Sequence, residues 1–106
     1  MAEYCTSVRE LTLKLLEAIS ESLGLPKDSI ANSIGGHGQH MALNYYPPCP
    51  QPELTFGLPG HTDPNLITLL LQDQVPGLQA LHDNTWFALD PIPNTFIINV
   101  GDQMQV

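Results

Sequence analysis

Six prolines within residues 47–64 restrict the fold of this chain more than any other feature of its sequence. Proline fixes φ and has no backbone N–H, so a segment this rich in proline forms neither an α-helix nor a central β-strand. We therefore predict an irregular loop over 47–64. It separates a region of helical periodicity from a region of short apolar runs.

The region before this loop begins with a predicted amphipathic helix over residues 7–23. Gly24 and Pro26, which follow it, are residue types that end helices. Residues 27–34 predict a short second helix, and the glycines of 35–38 break the chain after it. The apolar residues of the first helix recur at spacings of three and four: Val8, Leu11, Leu15, Leu16, Ile19 and Leu23.

Four other stretches have the length and composition of β-structure. Residues 40–46 and 94–102 each predict one strand, and the continuous apolar run 66–72 predicts a strand buried on both faces. Residues 77–89 predict a hairpin with its turn at 83–84. Because these strands form no β-α-β repeat, they disfavour a doubly wound parallel sheet and favour a sandwich or jelly-roll barrel. The predicted fold class is therefore mainly β with an N-terminal helix.

Composition and charge exclude several classes of function. The chain has 3 Lys and Arg against 11 Asp and Glu, a formal net charge of −8. We therefore expect no nucleic-acid binding, since phosphates need cationic partners. No apolar run reaches 18 residues, which predicts no membrane span. The N-terminus lacks the pattern of a signal peptide and there are only two cysteines, so we expect a cytoplasmic location.

One short motif, His61-Thr62-Asp63, precedes the longest apolar run. Residues two apart on an extended segment project to the same face, so His61 and Asp63 are candidate ligands of one metal ion. Two histidines and one carboxylate are the ligand set of iron(II) oxygenases. The alternative is ordinary turn chemistry, because an aspartate before Pro64 is common in turns.

A third ligand from within the chain would have to be His37, His40 or His82, and the position of none of them favours that role. A zinc-binding module built from His61, Asp63 and one of these histidines is a further alternative. The motif alone does not decide between these interpretations.

Longer segments around the motif resemble a known family. "NYYPPCPQPEL", "GHTDPNLITLLLQDQVPGLQ" and "WFALDPIPNTFIINVGDQ" are similar to the core of the plant 2-oxoglutarate- and iron(II)-dependent dioxygenases. The resemblance covers residues 40–106. Within the family, it is greatest to the branch of the downy-mildew-resistance salicylate hydroxylases and flavonoid oxygenases.

The resemblance implies a double-stranded β-helix, a jelly roll with iron inside. It implies an N-terminal helical segment over 1–36 and the N-terminal part of the dioxygenase domain over 37–106. His61 and Asp63 match two iron ligands of the family. Asn44 and Tyr46 match the residues that contact 2-oxoglutarate, and an amide and a phenol can both donate hydrogen bonds to a carboxylate.

The family's second iron-binding histidine and its Arg-x-Ser pair, which anchors 2-oxoglutarate, would lie beyond Val106. The cationic residues of this chain, Arg9, Lys14 and Lys27, all lie in the predicted helical region and match neither. The last predicted strand also lacks a neighbour to cover its edge. We therefore expect a fragment or a truncated isoform that is inactive alone.

The function implied is the hydroxylation or desaturation of a small aromatic metabolite, a phenolic or flavonoid of plant secondary metabolism. The reaction would use Fe(II), O2 and 2-oxoglutarate, which is decarboxylated to succinate, with ascorbate as reductant. The alternative function is a non-catalytic isoform that binds a partner.

Overall fold

The computed structural model describes residues 1–105. These residues belong to two compact units, Met1–Gly60 and a second unit that begins at His61. The first unit contains two α-helices and the second contains four β-strands. In chain order they are α1 (Ala2–Ser22), α2 (Ser29–Ile34), β1 (Ile67–Leu70), β2 (Gln79–His82), β3 (Thr85–Ala88) and β4 (Ile97–Val100).

Helix α1 begins five residues before the predicted start at residue 7. The apolar periodicity begins only at Val8, but the polar residues before it are also compatible with a helix. Glu3 lies in the first turn, where a negative charge interacts favourably with the helix dipole. The apolar pattern therefore includes the buried Leu16 but misses the buried Ser20 and the exposed first turn of the helix.

The predicted end of α1 is confirmed by a Schellman motif. Gly24 has a φ of 72°, a left-handed conformation that glycine adopts without steric cost. Its N–H donates to the Glu21 carbonyl at 2.9 Å, and the N–H of Leu25 donates to the Ser20 carbonyl at 3.0 Å. These two bonds satisfy carbonyl groups that the helix leaves without partners.

The two helices meet at a buried serine. Ser20 is fully buried, and its hydroxyl donates to the Leu16 carbonyl at 2.9 Å. The same oxygen accepts a hydrogen bond of 3.3 Å from the backbone N–H of Ile30 in α2. Leu16, which is 1% exposed, packs beside it, so this helix pair contains the most deeply buried apolar side chain among residues 1–105.

The segment that follows α2 is irregular. A loop over 47–64 is confirmed, with one short 3-10 helix at Pro52–Leu54. The prediction of a strand over 40–46 is wrong. A strand requires a hydrogen-bonded neighbour, and the described residues pair only β1 with β4 and β2 with β3.

Strands β1 and β4 form an antiparallel pair, with Ile67 opposite Val100 and Leu70 opposite Ile97. The prediction that β1 is buried on both faces is wrong for the described residues, since all four of its residues are only half-buried. One neighbouring strand covers one edge of β1, and burial of both faces needs further layers.

Strands β2 and β3 form the predicted hairpin. Asp83 and Asn84 have φ values of 47° and 60°, so both central residues of the turn are left-handed. This is the type I′ geometry, whose twist matches that of the strands it joins. All eight strand residues are exposed.

The fold class agrees with the prediction only in part. The helices comprise 21 and 6 residues and each of the four strands comprises 4, so residues 1–105 are not mainly β. Predicted strand positions at 40–46 and at the ends of 66–72 and 94–102 fall outside the strands, and Asp102 begins a short 3-10 helix, Asp102–Met104. Within residues 1–105, no helix has the length and apolar content needed to cross a bilayer.

Candidate functional site

The side chains of His61 and Asp63 converge immediately before β1. The Nε2 atom of His61 lies 3.5 Å from Oδ1 of Asp63. Their side chains are 52% and 23% exposed, so the imidazole reaches solvent while the carboxylate is largely covered. The structure therefore has the shared orientation that the spacing of two residues predicted.

The residue between them, Thr62, is oriented by a different interaction. Its Oγ1 donates a hydrogen bond of 2.9 Å to Oδ2 of Asp102, which follows β4. The backbone N–H of Asp102 donates to the Asp63 carbonyl at 2.8 Å. One residue from a distant part of the sequence thus contacts both Thr62 and Asp63.

Backbone pairing continues on either side of this contact. The N–H of Gly101 donates to the Leu66 carbonyl at 3.0 Å, and that of Gln103 donates to the Asn65 carbonyl at 3.2 Å. The segment before β1 is therefore held against the segment after β4 by three successive backbone donors. We call residues 101–103 the clamp segment.

Gly101 has a role that its sequence context did not predict. Gly101 is extended and buried, with a φ of −86°, and it immediately precedes the 3-10 helix Asp102–Met104. A Cβ atom at this position would overlap the backbone oxygen of Asn65 and lie 2.6 Å from its Oδ1 atom. Glycine is needed here for close approach, and only the contact of two distant segments shows this.

The His61 and Asp63 atoms fit a shared metal ion. Nitrogen and oxygen donors bind a divalent ion such as zinc at about 2.1 Å, so two donors on one ion lie at most about 4.2 Å apart. The observed 3.5 Å falls within that limit. Imidazole with carboxylate is also the donor mixture that suits iron(II).

No third ligand joins this pair within the part of the chain that the structure describes. Residues 1–105 contain no group of three His, Cys, Asp or Glu side chains that could hold a metal ion. His37 contacts the Gly35 carbonyl at 2.9 Å, His40 is exposed in the irregular segment, and His82 lies 3.4 Å from Asp83 in the hairpin. The zinc-module interpretation, which needs one of them, is not supported.

The other two predicted site residues belong to the first unit. Asn44 and Tyr46 lie in the irregular segment before the proline-rich loop, and both side chains are exposed. Their predicted contact with 2-oxoglutarate therefore rests on the sequence resemblance alone.

Comparison with known proteins identifies a family for most of the chain. Residues 37–106 match the family model described as the 2OG-Fe(II) oxygenase superfamily. The chain is 72% identical over 105 residues to Protein DMR6-LIKE OXYGENASE 2 of Arabidopsis thaliana, covering 99% of this chain and 30% of that protein. It is 59% identical over 103 residues to Flavanone 3-dioxygenase 2 of Oryza sativa subsp. japonica, covering 96% of this chain and 30% of that protein. The chain thus spans about 30% of the length of these relatives.

A solved structure supports the same relationship. The crystal structure of JOX2 in complex with 2OG, Fe and JA matches this chain with a TM-score of 0.86 and 40% sequence identity. The match covers 98% of this chain and 32% of that one. The described residues therefore have the fold of the corresponding part of that protein.

Proposed function

The chain belongs to the 2OG-Fe(II) oxygenase superfamily, and from this premise we propose that it serves the oxidation of a small aromatic metabolite by Fe(II), O2 and 2-oxoglutarate. The substrate class follows from relatives whose names specify flavanone and naringenin. The reaction is hydroxylation or desaturation, with 2-oxoglutarate converted to succinate and carbon dioxide. This assigns the chain to the oxidoreductases of plant secondary metabolism.

The convergence of His61 and Asp63 is the single observation that carries this proposal. In the proposed site, Nε2 of His61 and a carboxylate oxygen of Asp63 would hold the iron. The bound iron supplies the chemistry of oxygen activation, and the protein supplies binding and orientation. Asp63 is the more covered of the two, so its negative charge lies beside the metal position with less screening by water.

We assign Asn44 and Tyr46 to the binding of 2-oxoglutarate. The Asn44 amide and the Tyr46 hydroxyl are neutral donors, and each can hydrogen-bond to a carboxylate oxygen. They add orientation without adding charge to an acidic protein. The jelly-roll domain beginning at residue 37, the use of ascorbate as reductant and the cytoplasmic location also belong to the proposal.

Two proteins test this function together: the 106-residue chain itself and a chimera. In the chimera, this chain replaces the matched residues of Protein DMR6-LIKE OXYGENASE 2. Both are incubated with Fe(II), ascorbate, 2-oxoglutarate and naringenin, and succinate and oxidised product are measured by mass spectrometry. We expect product from the chimera and none from the chain alone, since residues 1–105 place no third ligand beside His61 and Asp63.

Substitutions in the chimera assign the roles of the residues. We expect Asp63→Ala to abolish succinate formation and Tyr46→Phe to raise the KM for 2-oxoglutarate. Asp83→Ala is the matched control, because Asp83 also lies beside a histidine but belongs to the exposed hairpin. A folded Asp63→Ala chimera with full activity would contradict the proposal. A folded chimera that binds no metal would favour the non-catalytic alternative.

A further inference from the structure

We propose that Asp102 is a positioning residue that fixes the orientation of the His61–Asp63 metal pair. This inference rests on the proposed function and deepens it. It depends on the two contacts of Asp102, one through its carboxylate and one through its backbone N–H, with consecutive residues of the metal motif.

The alternation of side chains explains how this contact acts. On an extended segment alternate residues project to opposite sides, so a bond that holds the Thr62 hydroxyl also sets the side on which His61 and Asp63 project. The bond between Thr62 Oγ1 and the carboxylate oxygen Oδ2 of Asp102 is 2.9 Å long. Rotation of the motif about its own axis would break it.

The backbone contact restricts a second movement of the motif, sliding along the clamp segment. The N–H of Asp102 holds the Asp63 carbonyl at 2.8 Å, so the peptide that carries the carboxylate ligand cannot slide along the clamp segment. The bonds from Gly101 and Gln103 to Leu66 and Asn65 prevent the motif from lifting away. Together these contacts hold the two donor atoms at a separation that one ion can bridge.

Only the side-chain bond can be removed without altering the backbone, and its loss tests the inference. Thr62→Val deletes the hydroxyl and keeps the β-branched shape. Thr62→Ser keeps the hydroxyl. Thr68→Val is the matched control. It makes the same chemical change at another exposed hydrogen bond, the 2.9 Å contact between Thr68 and Asn65.

The measurement is the Kd of the chimera for Mn²⁺, a redox-stable probe, by titration calorimetry, together with the Tm of each variant without metal. Mutation of a residue that hydrogen-bonds to a metal ligand typically lowers the metal affinity by about 10-fold to 100-fold. We expect Thr62→Val and Asp102→Ala each to raise the Kd about 10-fold. Thr62→Ser and Thr68→Val are expected to change it less than about 3-fold.

A double variant separates positioning from general stability. If the hydroxyl and the carboxylate act through one bond, Thr62→Val with Asp102→Ala raises the Kd no more than either change alone. A Kd that stays constant while Tm falls overturns the inference and leaves the proposed function intact. A parent chimera that folds without binding Mn²⁺ overturns both. If Thr62→Val does not fold, the Kd of Asp102→Asn for Mn²⁺ is compared with that of Thr62→Ser at unchanged Tm. A wild-type Kd in Asp102→Ala contradicts the positioning role of Asp102.

Discussion

The two strand pairs of the second unit have equal length but are held together in different ways. Strands β2 and β3 are joined by a two-residue turn, whereas β1 and β4 are separated by residues 71–96. A histidine and an aspartate also lie near each pair at nearly the same separation. The distance is 3.5 Å for His61 and Asp63 in the segment before β1, and 3.4 Å for His82 and Asp83 in the hairpin.

The surroundings of these two His–Asp pairs distinguish a candidate site from an incidental contact. His82 and Asp83 are 78% and 90% exposed, and the turn that holds them involves no distant segment. The Thr62 side chain and the Asp63 carbonyl are both bonded to Asp102 of the clamp segment, which lies about 40 residues away in sequence. An exposed charged pair contributes at most about 1 kcal/mol and is easily rearranged. A separation of two atoms indicates a metal site only when other contacts preserve it.

The largest expected difference between the two pairs is in metal binding. His61→Ala in the chimera should raise the Kd for Mn²⁺ at least about 100-fold, because it removes a ligand and not merely an outer-shell partner. His82→Ala should leave the Kd unchanged. Titration calorimetry measures both. An equal effect of the two substitutions would remove the distinction between the pairs.

A smaller effect is expected when the clamp segment is disturbed without touching a ligand. In Gly101→Ala the new methyl group overlaps the Asn65 backbone, so the strand pair must shift. Overpacking of this kind costs about 1–3 kcal/mol. We expect a lower urea midpoint for the chimera and weaker Mn²⁺ binding.

Gly77→Ala provides the control for this change. A Cβ atom at Gly77 would meet nothing within 4 Å, so the free energy of unfolding should change by less than about 0.5 kcal/mol. Equal urea midpoints for Gly101→Ala and Gly77→Ala would show that the close approach at Asn65 does not constrain the chain.

The smallest effect is expected in the hairpin. Asn84→Val places a β-branched residue at a φ of 60°, which costs about 1–2 kcal/mol locally. Faster amide hydrogen exchange in β2 and β3 should report this loss, while the Mn²⁺ Kd and the exchange of β1 stay unchanged. A weakened metal affinity would instead indicate that the two strand pairs are coupled.

The same comparison explains what could be predicted from the sequence. The hairpin, its turn at Asp83 and Asn84, and the end of α1 at Gly24 all depend on neighbouring residues, and the structure confirms them. The common side of His61 and Asp63 follows from the two-residue period of an extended chain.

Apart from the first turn of α1, the features that were missed depend on distant partners. The Thr62–Asp102 bond and the approach of Gly101 to Asn65 join residues that are far apart in sequence, so no local sequence pattern predicts them. The false strand over 40–46 is the reverse case, because its composition suits a strand but residues 1–105 provide no partner for it. The metal roles of His61 and Asp63, and the cosubstrate roles of Asn44 and Tyr46, stay predictions.

The backbone pairing of the clamp segment has a consequence for how this architecture can diversify. Since residues 63–66 and 101–103 are tied directly to one another, the chain between the two strands is an excursion that starts and returns at fixed points. Closing a longer excursion costs little extra entropy, about 0.6 kcal/mol for each doubling of its length. Insertions or deletions in residues 71–96 can therefore be accommodated while the donor atoms of His61 and Asp63 remain where they are.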